Sequence, residues 1–138
     1  MTILDTNVLS ALMRDIPDRK VEECLDQQPQ SSIWTTSVTV FEVQVGLLVL
    51  PIGKKQSALS EEFERLLNEI DHRIAVFDED AAREAASLTA ARQKRGISVE
   101  LRDTMIAGIV LARHATLATR NVAHFSDIPA TVVNPWTA

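Results

Sequence analysis

Short apolar runs alternate with longer stretches of helical spacing along this chain. Apolar or β-branched runs predict strands at residues 2–4, 33–36, 74–77 and 116–119, and a fifth at 131–133. Apolar residues three or four positions apart predict helices at residues 6–13, 21–26, 37–48, 57–70, 79–95 and 103–114. Strands separated by helices indicate βαβ crossovers and a mostly parallel sheet. We expect an α/β fold, a three-layer sandwich in which helices flank a four- to five-stranded sheet, in one domain spanning residues 1–138.

The predicted helix at residues 37–48 is unusual because it is apolar nearly all round, which is typical of a buried element. Ser37 or Thr39 is expected to cap it. Within it, Glu42 is the only charged residue between Asp26 and Lys54. An unpaired buried carboxylate costs several kcal/mol, so a compensating group must come from elsewhere in the chain.

Acidic and amide side chains stand where predicted strands end and helices begin. Asp5 follows the first strand, Asp103 opens the last predicted helix, and Asn121 follows the fourth strand. Each has a purely structural interpretation: Asp5 as a helix cap, Asp103 as a favourable charge at a helix N-terminus with Arg102 as its companion, and Asn121 in an Asx turn. However, parallel sheets bind their ligands beyond the carboxyl ends of the strands.

Asp5, Glu42 and Asp103 are predicted to converge at that edge of the sheet. Carboxylates held so close raise one another's pKa unless a cation keeps them ionised. Oxygen ligands with room for water suit Mg²⁺ or Mn²⁺. The three acids therefore predict a divalent metal site, to which Asn121 would add a neutral oxygen ligand or a partner for the metal's water shell.

Residues beside these acids are further candidates. Thr6 and Asn7 would orient Asp5 by hydrogen bonds, although both also suit an ordinary helix start. His124 is a candidate assistant of the site, but the three histidines lack the H-x-x-x-H spacing of a zinc site. Asp127 is a weaker acidic candidate and is better interpreted as a turn residue.

The densest basic stretch of the chain directly precedes Asp103. It comprises Arg92, Lys94, Arg95 and Arg102. Cations are favoured in the last turn of a helix, so we interpret the stretch as a helix C-terminus followed by a solvated loop. An alternative is that it contacts substrate phosphates.

Composition places the chain among ordinary globular proteins. Of its residues, 46% are hydrophobic and 24% charged, and no apolar stretch is long enough for a membrane span. A single cysteine, Cys24, and the lack of a signal-peptide pattern lead us to expect a soluble protein of the reducing cytoplasm. The net charge of −5 argues against nucleic-acid binding through a strongly positive field, but it is compatible with a nuclease whose metal contacts the phosphate.

Six groups of residues, in order along the whole chain, resemble the motifs of one family. They are Leu4-Asp5-Thr6-Asn7-Val8, Thr39-Val40-Phe41-Glu42 with Gly46, Leu50-Pro51-Ile52-Gly53-Lys54, Arg102-Asp103-Thr104-Met105-Ile106-Ala107, Ala118-Thr119-Arg120-Asn121 with Phe125, and Val133-Asn134-Pro135-Trp136. Each group is weak alone, but their order and spacing are specific. The chain resembles the PIN-domain ribonucleases and, among them, the VapC toxins of type II toxin-antitoxin pairs, in particular the FitB-like branch.

The resemblance implies a Mg²⁺- or Mn²⁺-dependent endoribonuclease with a parallel α/β sandwich. Its metal ligands would be Asp5, Glu42 and Asp103, and the metal would activate a water that hydrolyses RNA phosphodiester bonds. Asn121 would complete the catalytic set, in place of a fourth acid that many relatives carry. Thr6 resembles a hydroxyl that supports the metal ligands in the family.

Other features of the family bear on substrate and partners. Arg102 and Arg120 are candidate substrate-binding residues, and His124 stands where relatives often have Asp. The resemblance implies a homodimer, a cognate antitoxin that covers the site in a toxin-antitoxin hetero-oligomer, and contact with promoter DNA through the antitoxin alone. An alternative function is a catalytically silent PIN-like module that binds a protein partner through the acidic cleft.

Overall fold

Strands and helices alternate along the chain, as the apolar pattern predicts. The strands are β1 (Thr2–Leu4), β2 (Ile33–Thr36), β3 (Ile74–Ala75), β4 (Thr116–Ala118) and β5 (Val132–Val133). The helices are α1 (Thr6–Leu12), α2 (Arg19–Asp26), α3 (Ser37–Leu48), α4 (Lys54–Glu69), α5 (Glu79–Lys94) and α6 (Leu101–Arg113). Two 3-10 helical turns are formed by Gln30–Ser32 and Val122–Phe125. The computed structural model describes every residue of the chain.

The five strands form one sheet in the order β3-β2-β1-β4-β5, and all neighbouring strands are parallel. The central strand β1 pairs with β2 on one side and with β4 on the other. The chain builds outwards from β1 to β3 and then crosses back to β4, so the strand order reverses between β1 and β4. Parallel sheets bind ligands beyond the carboxyl ends of the strands at such a reversal.

Apolar side chains cover both faces of the sheet. One cluster joins Leu4 to residues of α1 to α4, among them Leu9 and Phe63. A second cluster joins Ile3 to residues that come mainly from α5 and α6, among them Ile106. Ile3 and Leu4 are neighbours in the chain but belong to different clusters, because the side chains of a strand alternate between its two faces. The predicted α/β sandwich with a parallel sheet is confirmed.

The bounds of several elements differ from the predictions, among them those of α4, α6 and β3. Helix α4 begins at Lys54, so Lys54 and Lys55 are helical rather than part of a loop. Helix α6 begins at Leu101 rather than at Asp103. The strand predicted at residues 74–77 is shorter, because only Ile74 and Ala75 pair with β2. Polar residues at helix starts do not contribute to an apolar period, which explains why the helices were predicted too short.

The residue that caps α3 is Thr36 rather than Ser37 or Thr39. Thr36 has an extended backbone, and its Oγ1 accepts a hydrogen bond from the backbone N–H of Thr39 at 3.0 Å. Ser37 is the first helical residue, and its Oγ accepts a hydrogen bond from the backbone N–H of Phe77 at 3.2 Å. The start of α3 is thereby tied to the segment that follows β3.

Helix α3 is buried on one side only, so the prediction of a fully buried helix was wrong. Phe41 is 59% exposed and Leu48 is 73% exposed. These two residues belong to a set of exposed apolar side chains on α3 and directly after it, which we call the apolar stripe. The apolar stripe consists of Phe41, Val45, Leu48, Val49 and Ile52. Exposed apolar surface of this kind is typical of a protein interface.

No helix is both long and apolar enough to cross a lipid bilayer.

Helices α5 and α6 approach each other closely at Gly108. A Cβ atom placed on Gly108 would lie 2.4 Å from the carbonyl oxygen of Ala81 and 2.8 Å from the Cβ of Ala85. Because one of these neighbours is a backbone atom, the clash would not be relieved by rotating a side chain. The absence of a side chain at this position therefore sets the distance between the two helices.

Replacing Gly108 by Ala should destabilise the protein by about 1–3 kcal/mol, because the added methyl group forces α5 and α6 apart. Gly46 is the matched control, since it lies in α3 and has no atom within 4 Å of its would-be Cβ. Gly46→Ala should stabilise the protein by up to about 1 kcal/mol through the better helix propensity of Ala. Urea unfolding followed by circular dichroism measures both effects, and stabilisation by both substitutions would contradict the close approach.

Candidate active site

Asp5 lies at the carboxyl end of the central strand, where the strand order reverses. Its side chain is only 2% exposed. Its Oδ1 accepts a hydrogen bond from the backbone N–H of Thr6 at 2.7 Å, which caps α1. Its Oδ2 accepts hydrogen bonds from the hydroxyl of Thr119 at 2.7 Å and from the amide of Asn7 at 3.2 Å. Asp5 is therefore both a helix cap and a junction between the ends of β1 and β4.

Burial raises the pKa of Asp5 above its usual value, and the nearby charge of Asp103 adds to the increase. The hydrogen bonds from Thr119, Thr6 and Asn7 lower the pKa, but they do not compensate fully for the loss of water. The ionised carboxylate thus lies in a place that disfavours its charge. A positive charge beside it would relieve this cost.

Glu42 reaches the same region from α3. Its Oε1 accepts a hydrogen bond from the hydroxyl of Thr6 at 2.8 Å, and its Oε2 lies 3.7 Å from Nη1 of Arg102. Burial is the main cause of its raised pKa; Thr6 and Arg102 lower the pKa, whereas the charge of Asp5 raises it. Two groups from elsewhere in the chain therefore compensate the charge of Glu42: the hydroxyl of Thr6 and the exposed guanidinium of Arg102. They do not compensate it fully, because the pKa of Glu42 is still raised.

Asp103 lies in the first turn of α6, where the helix dipole favours an acid. Its Oδ2 lies 2.7 Å from Nδ1 of His124, so His124 belongs to the site. Arg102 is not the direct companion of Asp103 that the sequence suggested. Its Nε donates to Glu100 at 2.9 Å, and its Nη1 approaches Glu42.

The segment after β4 closes one side of the site. The backbone N–H of Asn121 donates to the hydroxyl of Thr119 at 3.0 Å, and the backbone N–H of Arg120 donates to Oδ1 of Asn7 at 3.0 Å. The guanidinium of Arg120 lies 4.7 Å from the ring centroid of Trp136. Sequence reasoning missed Thr119, and the only signal for it was its position beside Asn121 at the end of a strand.

The chemistry of these acids fits a hard divalent cation. The pKa of both Asp5 and Glu42 is raised, and the charge of Asp103 adds to the increase at Asp5 as the charge of Asp5 adds to that at Glu42. Their spacing is not yet that of a bound ion, because no three acidic, histidine or cysteine side chains are gathered closely enough to hold one. Glu42 is drawn towards Arg102, and Asp103 is paired with His124. Binding an ion would require these two side chains to turn towards Asp5.

The basic stretch before Asp103 is only partly solvated, which corrects the prediction for Arg92. Arg92 is 3% exposed, and its Nε and Nη2 donate to the two carboxylate oxygens of Asp127 at 2.8 and 2.9 Å. Arg95 reaches the same carboxylate at 3.1 Å, but its side chain is 55% exposed. Hydrogen bonding to Arg92 is the main cause of the lowered pKa of Asp127. Asp127 is therefore the partner of a buried cation rather than a simple turn residue.

Asp127→Asn should destabilise the protein by about 2–3 kcal/mol at neutral pH, because the buried guanidinium loses its counter-charge. Since folding lowers the pKa of Asp127, its stabilisation is fully present above the unfolded value of 3.8 and is lost as the pH falls through the lower folded value. The difference between wild type and variant should therefore shrink in urea unfolding at about pH 3. Arg95→Gln is the control and should cost less than about 1 kcal/mol. A difference that does not change with pH would contradict the ion pair.

Comparison with known proteins places this chain in a family. Residues 2–130 match the PIN domain, and the chain belongs to that family. It is 33% identical over 137 residues to the VapC ribonuclease Y4jK of Sinorhizobium fredii, covering 99% of this chain and 98% of that protein. It is 32% identical over 137 residues to the toxin FitB of Neisseria gonorrhoeae, covering 99% of both. A chain in the structure of FitAB bound to an IR36 DNA fragment superposes with a TM-score of 0.88 at 32% identity, covering 99% of this chain and 96% of that one.

Proposed function

We propose that this protein is the toxin of a type II toxin-antitoxin pair and acts as an endoribonuclease that depends on Mg²⁺ or Mn²⁺. The observation that carries the proposal is that Thr6 joins the carboxylates of Asp5 and Glu42 at the reversal of the strand order, where the pKa of both acids is raised and the charge of Asp103 adds to the increase at Asp5. Relatives named as a ribonuclease and as a toxin support the reaction class and the biological role.

In this proposal Asp5, Glu42 and Asp103 would hold the metal. When bound, the metal would supply an activated water and neutralise charge that develops on the scissile phosphate. Asn7 and Thr119 fix the orientation of Asp5 through their hydrogen bonds to its Oδ2. These contacts hold the most buried of the three acids in one orientation before any ligand arrives.

The remaining residues of the site serve the ligands and the substrate. The hydroxyl of Thr6 holds the carboxylate of Glu42, while its backbone N–H holds Asp5. Arg102 and Arg120 are exposed and adjoin the site through Glu42 and Asn7 respectively, where they are suited to contact RNA phosphates. Asn121 is exposed beyond β4 and offers a neutral oxygen to the metal's water shell.

One observation favours a second candidate function. The acids are not gathered closely enough to hold an ion, which is what a catalytically silent module that binds a protein partner through the acidic cleft would also show. The two candidates differ in a simple respect. Only the nuclease requires a divalent metal to act on RNA.

Purified protein should cleave single-stranded RNA in the presence of Mg²⁺ or Mn²⁺ and lose this activity in excess chelator. Asp5→Asn should retain the fold, since Asn also caps helices. It should lower the cleavage rate by at least about 100-fold, because even the loss of a group that only supports a metal ligand costs about 10–100-fold. Asp15→Asn, at an exposed aspartate outside the site, is the matched control and should be fully active. Unchanged cleavage in chelator would exclude the metal mechanism, and folded wild type without cleavage would favour the silent module.

The antitoxin is proposed to cover the acidic site and to bind, in addition, in a groove of about 440 Å³ between α1, α2 and α4. Its floor is apolar, with Leu9 and Leu66 among the lining residues, and its rim carries three acids, Glu22, Asp26 and Glu69, and one base, Arg65, which pairs with Glu69 and leaves the acids in excess. An apolar floor with an acidic rim is complementary to a basic amphipathic helix. Contact with promoter DNA is assigned to the antitoxin, because this chain has a net charge of −5.

The apolar stripe is proposed to bind a second copy of the chain. From Val43 to Gly53 there is no charged residue, so two stripes would meet without repulsion, as a two-fold interface requires. The stripe and the groove involve different residues, and the two partners can therefore be bound at the same time.

Variants of the two surfaces should therefore have separate effects. Leu48→Asp should convert the dimer into a monomer that still binds the antitoxin, because it places a charge in the apolar stripe. Glu22→Lys should leave the dimer intact and weaken antitoxin binding by about tenfold, because it reverses a charge on the rim of the groove. Light scattering and titration calorimetry measure the two effects, with Glu61→Lys as a control on the outer surface of α4. Loss of antitoxin binding in Leu48→Asp alone would instead assign the stripe to the antitoxin.

A further inference from the structure

Arg92 makes hydrogen bonds beyond its ion pair with Asp127. It lies in the last turn of α5, and the bidentate pair with Asp127 already supplies a counter-charge. Two further hydrogen bonds extend from the same guanidinium. Its Nη1 donates to the hydroxyl of Thr104 at 3.0 Å, and its Nη2 donates to the backbone carbonyl of His124 at 3.0 Å.

These two contacts reach the chain on both sides of one acid. Thr104 directly follows Asp103 in the first turn of α6. His124 belongs to the Val122–Phe125 turn, and its Nδ1 lies 2.7 Å from Oδ2 of Asp103. The guanidinium, α6 and the turn thus form a closed ring that includes the carboxylate of Asp103. The planar fork of an arginine fixes all its contact directions at once, which an ammonium group would not do.

We propose that Arg92 is a positioning residue, which holds the start of α6 against the Val122–Phe125 turn and thereby sets the contact between Asp103 and His124. Arg92 acts through Thr104 and through the backbone of His124 and does not reach the substrate. Its effect on RNA cleavage rests on the proposed function, but its effect on the contact between Asp103 and His124 does not. If Arg92 only stabilised the fold, weakening its hydrogen bonds would lower the stability of the protein but would not change the contact between Asp103 and His124.

Thr104 allows the link to be cut without removing the ion pair. Thr104→Val keeps the shape of the side chain and removes the hydroxyl that accepts from Arg92, whereas Thr104→Ser keeps the hydroxyl. Arg92→Lys keeps the charge and loses the fork. Arg95→Gln is the matched control, because Arg95 contacts Asp127 but neither Thr104 nor His124.

The direct measurement is the position of the imidazole resonances of His124 in the metal-free protein at one fixed pH, with His72 and His114 as internal references. Thr104→Val and Arg92→Lys should shift the His124 signals alone, while Thr104→Ser and Arg95→Gln should leave them in place. If Arg92→Lys does not fold, Thr104→Val decides. Unshifted His124 signals in folded Thr104→Val would overturn the proposal.

Binding of Mn²⁺ gives a second measurement that is independent of RNA cleavage. Thr104→Val should weaken Mn²⁺ affinity about tenfold, as expected when a group that supports a metal ligand is removed, and Thr104→Ser should restore it. If wild-type protein binds no Mn²⁺ while Thr104→Val shows the expected shift of the His124 signals, the proposed metal function is refuted and the positioning role is retained. Wild type that binds Mn²⁺ with unshifted His124 signals in Thr104→Val would do the reverse.

Discussion

The carboxylate of Asp5 is buried at the carboxyl end of the central strand, and the elements of the site are arranged around it. Burying a charge is costly unless donors surround it. Here they come from the start of α1, through Thr6 and Asn7, and from the end of β4, through Thr119. Because β1 and β4 flank the reversal of strand order, the same hydrogen bonds that accommodate the acid also join the two halves of the sheet.

The electrostatic contrast between two aspartates shows why this site differs from an ordinary ion pair. Burial by itself raises the pKa of both Asp5 and Asp127, because loss of water disfavours the charged carboxylate. Asp127 has Arg92 in bidentate contact, and its pKa is lowered. Asp5 has only neutral donors and other acids nearby, and its pKa is raised. The excess of negative charge around Asp5 is the physical basis of the proposal that the site binds a cation.

The sequence predicted the parts of the fold that depend on local periodicity and on the chemistry of strand ends. The parallel sheet follows from strands that alternate with helices, and the capping role of Asp5 follows from its place at a strand-to-helix joint. Contacts between distant segments carry no such signal. Thr119 reaches Asp5 across 114 positions, and Arg92 reaches Asp127 across 35. The isolation of Glu42 indicated that a compensating partner existed but did not identify Arg102.

The apolar character of α3 was misread for a physical reason that also bears on function. The centre of a protein interface is apolar, as a hydrophobic core is. The spacing of apolar residues in the sequence therefore does not distinguish a helix that is buried in its own fold from one that exposes an apolar side to a partner. In helix α3, the half-buried Glu42 lies between the exposed Phe41 and the buried Val43. A partner seated on the apolar stripe would therefore contact the same helix that delivers an acid to the site.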